Sequence, residues 1–152
     1  MIVSVLRFSD LLLGSLLVGT MFGIWLGFNP VSLSAGAYVE HQQQAIRALN
    51  TPMPILGLTC TVLTIALAVF ERGNSPAWYF LVIAVADFAV AGIITRFANQ
   101  PLNAQMMMWT PLAPPPNWME LRDAWWNWHI ARTAAGVFGQ SFLILATLWP
   151  KK

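Results

Sequence analysis

The sequence predicts an all-α integral membrane protein, a four-helix bundle whose two long loops cap one end. Three observations carry this. The 152 residues are 57% hydrophobic and 9% charged, leaving more apolar surface than a soluble domain of this size can hide. Four apolar segments approach the roughly 20 residues that a helix needs to cross about 30 Å of hydrocarbon. Those segments are free of charge apart from Arg7, Asp10, Asp87 and Arg132.

The first segment runs approximately from Val5 to Phe28. Arg7 before an apolar run, with Ser34-Ala35-Gly36-Ala37 beyond it, has the look of a cleaved signal peptide. The run is longer than a signal core and further spans follow, so it is read as a retained helix. Gly19, Gly23 and Gly27 set a smooth stripe along it, against which another helix can approach closely. Ala131, Ala135 and Gly139 repeat that spacing in the fourth segment. The two are expected to pack together, with a homo-oligomeric contact through Gly19, Gly23 and Gly27 as the competing use.

In the first loop, Asn29 to Pro52, good helix formers extend from Ser34 to Leu49. Val39, Ile46 and Leu49 recur among Glu40, His41, Gln42, Gln43, Gln44 and Arg47, the pattern of a short amphipathic helix. It is expected to lie on the bundle's end as a lid.

The second and third segments, Met53 to Phe70 and Ala77 to Thr95, are joined by a turn from Glu71 to Ser75. Cys60 is the single cysteine, so no intrachain disulfide is possible. Asp87 in mid-span must be protonated or paired. Arg7, Asp10, Thr61 and Thr64 are its candidate partners.

The second loop, Arg96 to His129, opens with Asn99-Gln100-Pro101-Leu102-Asn103. Proline is expected to end the helix here, while each asparagine can cap a helix or join a buried network. Pro111 to Pro116 then stiffen an extended connection. From Trp118 to Arg132 the chain reads W-M-E-L-R-D-A-W-W-N-W-H-I-A-R and leads into the fourth segment, Ile130 to Trp149. Read as a helix, Arg122, Trp125, Trp126, His129, Arg132 and Thr133 share one face. That face holds the candidate chemistry, although tryptophan also gathers at membrane interfaces simply as an anchor.

An N-x-P-x-N element at Asn99, Pro101 and Asn103, followed by W-x-x-W-H-x-x-R at Trp125, Trp128, His129 and Arg132 and then Thr133, resembles the DUF1772 or anthrone oxygenase-like family. The resemblance covers nearly the whole chain. It implies a small membrane oxygenase that converts an activated CH₂ of an anthrone or related phenolic into a carbonyl with O₂. It also points to Asn99, Asn103, Trp125, His129 and Arg132 as site residues, with His41 as a looser match.

The residues themselves are compatible with that chemistry. An electron-rich carbanion or phenolate can pass an electron directly to O₂, so the protein needs a base, a cation for the developing oxyanion and a dry aromatic pocket. His129 is the candidate base. Arg132, Asn99 and Asn103 are candidates to stabilise an enolate oxygen. Trp125 and Trp126 can stack on a flat substrate arriving from the lipid bilayer, with Arg122 beside them. A redox metal, copper or iron, is the alternative to a cofactor-free reaction, with His41, His129 and Glu40 as the candidate ligands.

Two other function classes stand beside the oxygenase. The chain can be a non-catalytic accessory membrane subunit docking through its Trp-rich loop, or a small transporter with Asp87 in the path. With a formal net charge of +2 from scattered groups and no phosphate-binding glycine loop, nucleic acid and nucleotide partners are disfavoured. Positive charges near the helix ends tie between the two sides. Lys151 and Lys152, read as an anchor, favour cytoplasmic termini and a multi-pass protein of the cell (inner) membrane.

Overall fold

The computed structural model describes residues 1–73 and 75–150; Lys151 and Lys152, the proposed anchor, lie outside the described residues. Helix α1 spans Ile2–Gly27, α2 Ala35–Leu49, α3 Pro52–Phe70 and α4 Pro76–Ile94. A π-helical turn, Thr95–Asn99, carries α4 directly into α5, Gln100–Met106, and α6 runs from Trp118 to Leu148. No strand occurs among the described residues, and four helical rods are long and apolar enough to cross a membrane. The protein is a multi-pass membrane protein.

Two rods are longer than their apolar spans. Pro76–Met106 and Trp118–Leu148 are each 31 residues, about 46 Å at 1.5 Å per residue, against about 30 Å of hydrocarbon. The second loop therefore shrinks to residues 107–117, and the aromatic run that begins at Trp118 is the first part of α6. Pro101 does not end the helix as expected. Its ring would crowd the carbonyl four residues back, and the wider π turn immediately before it gives that carbonyl room. Such turns recur at functional sites. Here the turn buries Asn99, whose Nδ2 donates to the Trp125 carbonyl at 3.1 Å and ties the two long rods together.

The small residues of α6 do bring helices close, but not through the expected stripe. A Cβ at Gly136 would lie 3.3 Å from Met21 of α1, and one at Gly139 would lie 3.0 Å from Phe88 of α4. Gly14 abuts the Gln140 side chain. Gly19, Gly23 and Gly27 meet nothing within 4 Å. Helix geometry explains the miss, since Gly23 stands about 160° around α1 from the Met21 face that α6 contacts.

Polar groups inside the bundle follow the same logic of small numbers and specific pairs. Asp10 is fully buried and accepts from Thr64 Oγ1 at 2.8 Å, pinning α1 to α3. Arg7 pairs with Glu71 at one end, and Thr61 donates to the Gly57 carbonyl in its own helix. None of the partners expected for Asp87 reaches it. Its Oδ2 is buried without a hydrogen-bond partner among the described residues.

Helix α2 forms the lid the sequence called for. Ser34 caps it, its hydroxyl accepting from the Ala37 amide at 3.4 Å. Its inner face presents Tyr38, Val39, Gln42, Gln43 and Ile46. The Tyr38 hydroxyl donates to the Met106 sulfur at 3.4 Å; burial pushes this phenol up, against a smaller opposing pull from Arg122, and so keeps it a donor. Gln43 Nε2 donates to the carbonyls of Met106 and Trp109 at 3.0 and 2.9 Å, satisfying the frayed end of α5. Gln43→Leu leaves those carbonyls without this donor and is expected to destabilise the protein by roughly 2–4 kcal/mol. Unfolding in detergent checks this, and an unchanged midpoint would remove the role.

Candidate active site

A cavity of about 540 Å³ opens beneath α2, walled by α1, α3, α4 and α6. That is the size of a small-molecule site. Its wall is mostly aliphatic and aromatic, with Trp125 of α6 and Phe88 of α4 among the rings. Polar groups enter chiefly from Arg132, Arg96, Gln100, Asn103, Asn50, Gln42 and His41. On the side between α3 and α4 the lining residues Leu58, Ile93 and Phe97 are 67%, 57% and 73% exposed. The mouth of the cavity thus opens at the flank of the bundle, between exposed apolar side chains.

Arg132 is the centre of the arrangement. Its Nη2 and Nε lie 3.0 and 3.3 Å from His129 Nδ1, and its Nη1 donates to Thr95 Oγ1 at 3.4 Å. Guanidinium offers only donors, so Nδ1 must carry a lone pair. The proton then sits on Nε2, which donates to the Met21 carbonyl at 3.1 Å. His129 is fully buried and neutral by this geometry, stacked on Trp125 at 5.2 Å with an interplanar angle of 1° and on Trp126 at 5.6 Å. Among the described residues no carboxylate pairs with Arg132; the ion pairs are Arg7 with Glu71 and Arg122 with Asp123.

The asparagines divide into two roles. Trp125 Nε1 donates to Asn103 Oδ1 at 2.7 Å, and Asn103 Nδ2 donates to Asn50 Oδ1 at 2.8 Å. This chain fixes the Trp125 ring at the cavity wall. Asn99 is fully buried behind the wall and does not line it. It positions α6 rather than meeting a ligand.

Of the residues singled out in the sequence, Arg132, Asn103, Trp125 and His41 line one cavity. His129, Asn99, Trp126 and Arg122 stand behind it, Arg122 being 6% exposed, bonded to Asp123 at 2.8 Å and stacked over Trp118 at 5.0 Å. A base at His129 does not fit this placement, because both ring nitrogens are occupied and the ring is off the wall. The expected metal ligands are likewise not brought together. Glu40 and His41 are exposed, His41 is stacked on Phe28 at 4.4 Å, and His129 has no free nitrogen. Among the described residues no group of three or more His, Cys, Asp or Glu side chains is arranged to hold an ion.

Sequence reasoning did not single out Gln42, Asn50 or Thr95. Gln42 carried a signal: it falls between Val39 and Ile46 on the inner face of the amphipathic helix, where a polar residue is out of place.

Four spanning rods, Asn99 in the π turn, Asn103 in α5, and the W-x-x-W-H-x-x-R stretch on α6 now stand in one structure. The family model described as anthrone oxygenase matches residues 42–141. The chain belongs to this family. The match takes in the second half of α2, all of α3 to α5 and α6 as far as Ser141, and so covers the cavity wall except Leu17, Met21, Ile24, Phe28 and His41. No curated protein and no solved structure matches the chain.

Proposed function

We propose that this anthrone oxygenase family member oxidises a lipophilic aromatic or phenolic substrate with O₂ inside the cavity beneath α2. The observation that carries this reading is Arg132, a half-buried cation without a carboxylate partner among the described residues on a mostly apolar cavity wall; Arg96, the wall's other cation, is exposed to the outside. Charge so placed favours a ligand that is, or becomes, an anion. The carbonyl oxygen of an anthrone gains negative charge when its activated CH₂ loses a proton, and Arg132 stabilises that enolate. His41, on the cavity wall and exposed to solvent, receives the proton.

The electron-rich anion transfers an electron to O₂ and recombines to a carbon-bound peroxide, which loses water to leave the carbonyl. The balance is CH₂ plus O₂ giving C=O plus H₂O. His129 acts through Arg132: its Nδ1 lone pair aims the guanidinium and its neutrality leaves the positive charge for the substrate. The mouth between α3 and α4 supplies the substrate from the bilayer.

Oxygen uptake by the detergent-purified protein with anthrone is the test. One O₂ consumed per ketone formed is expected, and no uptake above the spontaneous rate would overturn the reading. An accessory subunit would give that second result.

The mouth yields its own prediction. Gly92 lines the cavity, is exposed, and has open space where a side chain would start. Gly92→Trp is expected to lower kcat/KM by about tenfold with kcat little changed, since it obstructs arrival and leaves the chemistry intact. Unchanged kcat/KM would place the route elsewhere.

The bundle is proposed to sit in the cell membrane with cytoplasmic termini. Lys151 and Lys152 support this, since an arginine on each side is paired with a carboxylate, Arg7 with Glu71 and Arg122 with Asp123.

A further inference from the structure

We propose that Gln42 selects the ligand, taking a hydroxyl-bearing aromatic in preference to the same ring system without oxygen. This deepens the reading of the cavity as a substrate site and rests on it. Gln42 is 1% exposed and lines the cavity. Neither its Oε1 nor its Nε2 has a hydrogen-bond partner among the described residues.

The neighbouring glutamine shows how unusual that is. Gln43, on the same helix and also buried, has its Nε2 donating to two carbonyls and its Oε1 accepting from Arg47 at 3.4 Å. The fold can satisfy a buried glutamine here, and it leaves Gln42 unsatisfied. Burying an amide without partners is costly at each end. An ordered water would need two to four polar partners. Beside Gln42 the α2 wall is His41, Ala45, Ile46 and Leu49, and His41 is the one polar side chain among them, short of what a held water needs.

A ligand in the cavity can supply what the protein withholds. The amide presents one acceptor and a pair of donors at neighbouring positions. A phenolic hydroxyl meets the oxygen as donor, and that hydroxyl or an adjacent carbonyl meets the nitrogen as acceptor. A bare aromatic hydrocarbon meets neither and leaves the amide orphaned. Recognition of this kind discriminates strongly, because the penalty for a mismatch falls on a buried polar group.

The test is equilibrium binding to the full-length protein in detergent, using 1,8-dihydroxyanthrone and anthracene as probes, with unfolding of the ligand-free protein measured alongside. Wild type is expected to prefer the hydroxylated probe by about ten- to a hundredfold. Gln42→Leu is expected to lose most of that preference while the ligand-free protein unfolds at an equal or higher temperature, since the orphaned amide is gone. Gln42→Met, closer in shape, keeps the experiment decisive should the leucine variant fail to fold.

Preference retained in the variant, or a ligand-free protein destabilised as a structural glutamine would leave it, overturns the assignment. Binding is read without turnover, so a preference that depends on Gln42 in a protein that consumes no O₂ upholds Gln42 and removes the oxygenase. Oxidation with no such preference does the reverse. Failure of both probes to bind wild type overturns both.

Discussion

Arg132→Met is expected to lower kcat for anthrone oxidation by about 100- to 1000-fold, the range seen when one donor to a developing oxyanion is removed. The effect follows from where charge goes. In the ground state the substrate carbonyl is neutral and gains little from a cation. After proton loss its oxygen carries much of the charge, in a cavity whose aliphatic wall screens poorly. Most of the interaction is therefore realised on the way to the enolate, and KM should change less than kcat.

Arg132→Lys separates charge from geometry. Lysine keeps the cation but not the fork that reaches His129 Nδ1 and Thr95 Oγ1 together. It is expected to retain part of the activity with most of its deficit in kcat. A pure rise in KM in both variants would make Arg132 a substrate anchor and remove its role in the chemistry.

The spans were legible because hydropathy over some 20 residues is a strong signal, and α2 because Ser34 caps an amphipathic pattern. What hydropathy does not report is where a helix goes after it leaves lipid. The rod that α4 begins runs on through the π turn and α5, α6 starts well before its apolar stretch, and the π turn that lets Pro101 sit inside a continuous rod has no marker in a single sequence.

The site was legible at the level of a face. The three- and four-residue spacing from Arg122 to Thr133 set these residues on one side of α6, and of them Arg132 and Trp125 line the cavity. Depth along that face was not legible. Whether His129 meets a ligand or stands behind Arg132 depends on where α1 packs, because the Met21 carbonyl accepts a hydrogen bond from its Nε2. As a contact for α6 the glycine stripe misled for the same reason: small residues mark where a helix can approach, and packing elsewhere decides whether one within the chain does.

His129 therefore offers the sharper contrast between two roles. His129→Ala removes a fully buried ring stacked on Trp125, together with the acceptor for Arg132. It is expected to cost about 3–5 kcal/mol of stability, as loss of a large buried side chain does. Activity should fall as well, but the alanine variant alone cannot tell a base from a support. His129→Gln can. Its amide oxygen is able to accept from Arg132 while its amide nitrogen donates toward the Met21 carbonyl, copying both hydrogen bonds with no basic lone pair. If His129 aims the guanidinium, the glutamine variant should recover turnover to within about tenfold of wild type and keep the acid side of the pH profile of kcat, since the group that takes the proton is untouched. If His129 is the base, the glutamine variant should be as impaired as alanine, by the 100- to 10,000-fold typical of general-base removal, and that acid limb should vanish. The second result would require the imidazole to turn away from Arg132 during turnover, freeing the lone pair that the guanidinium now holds.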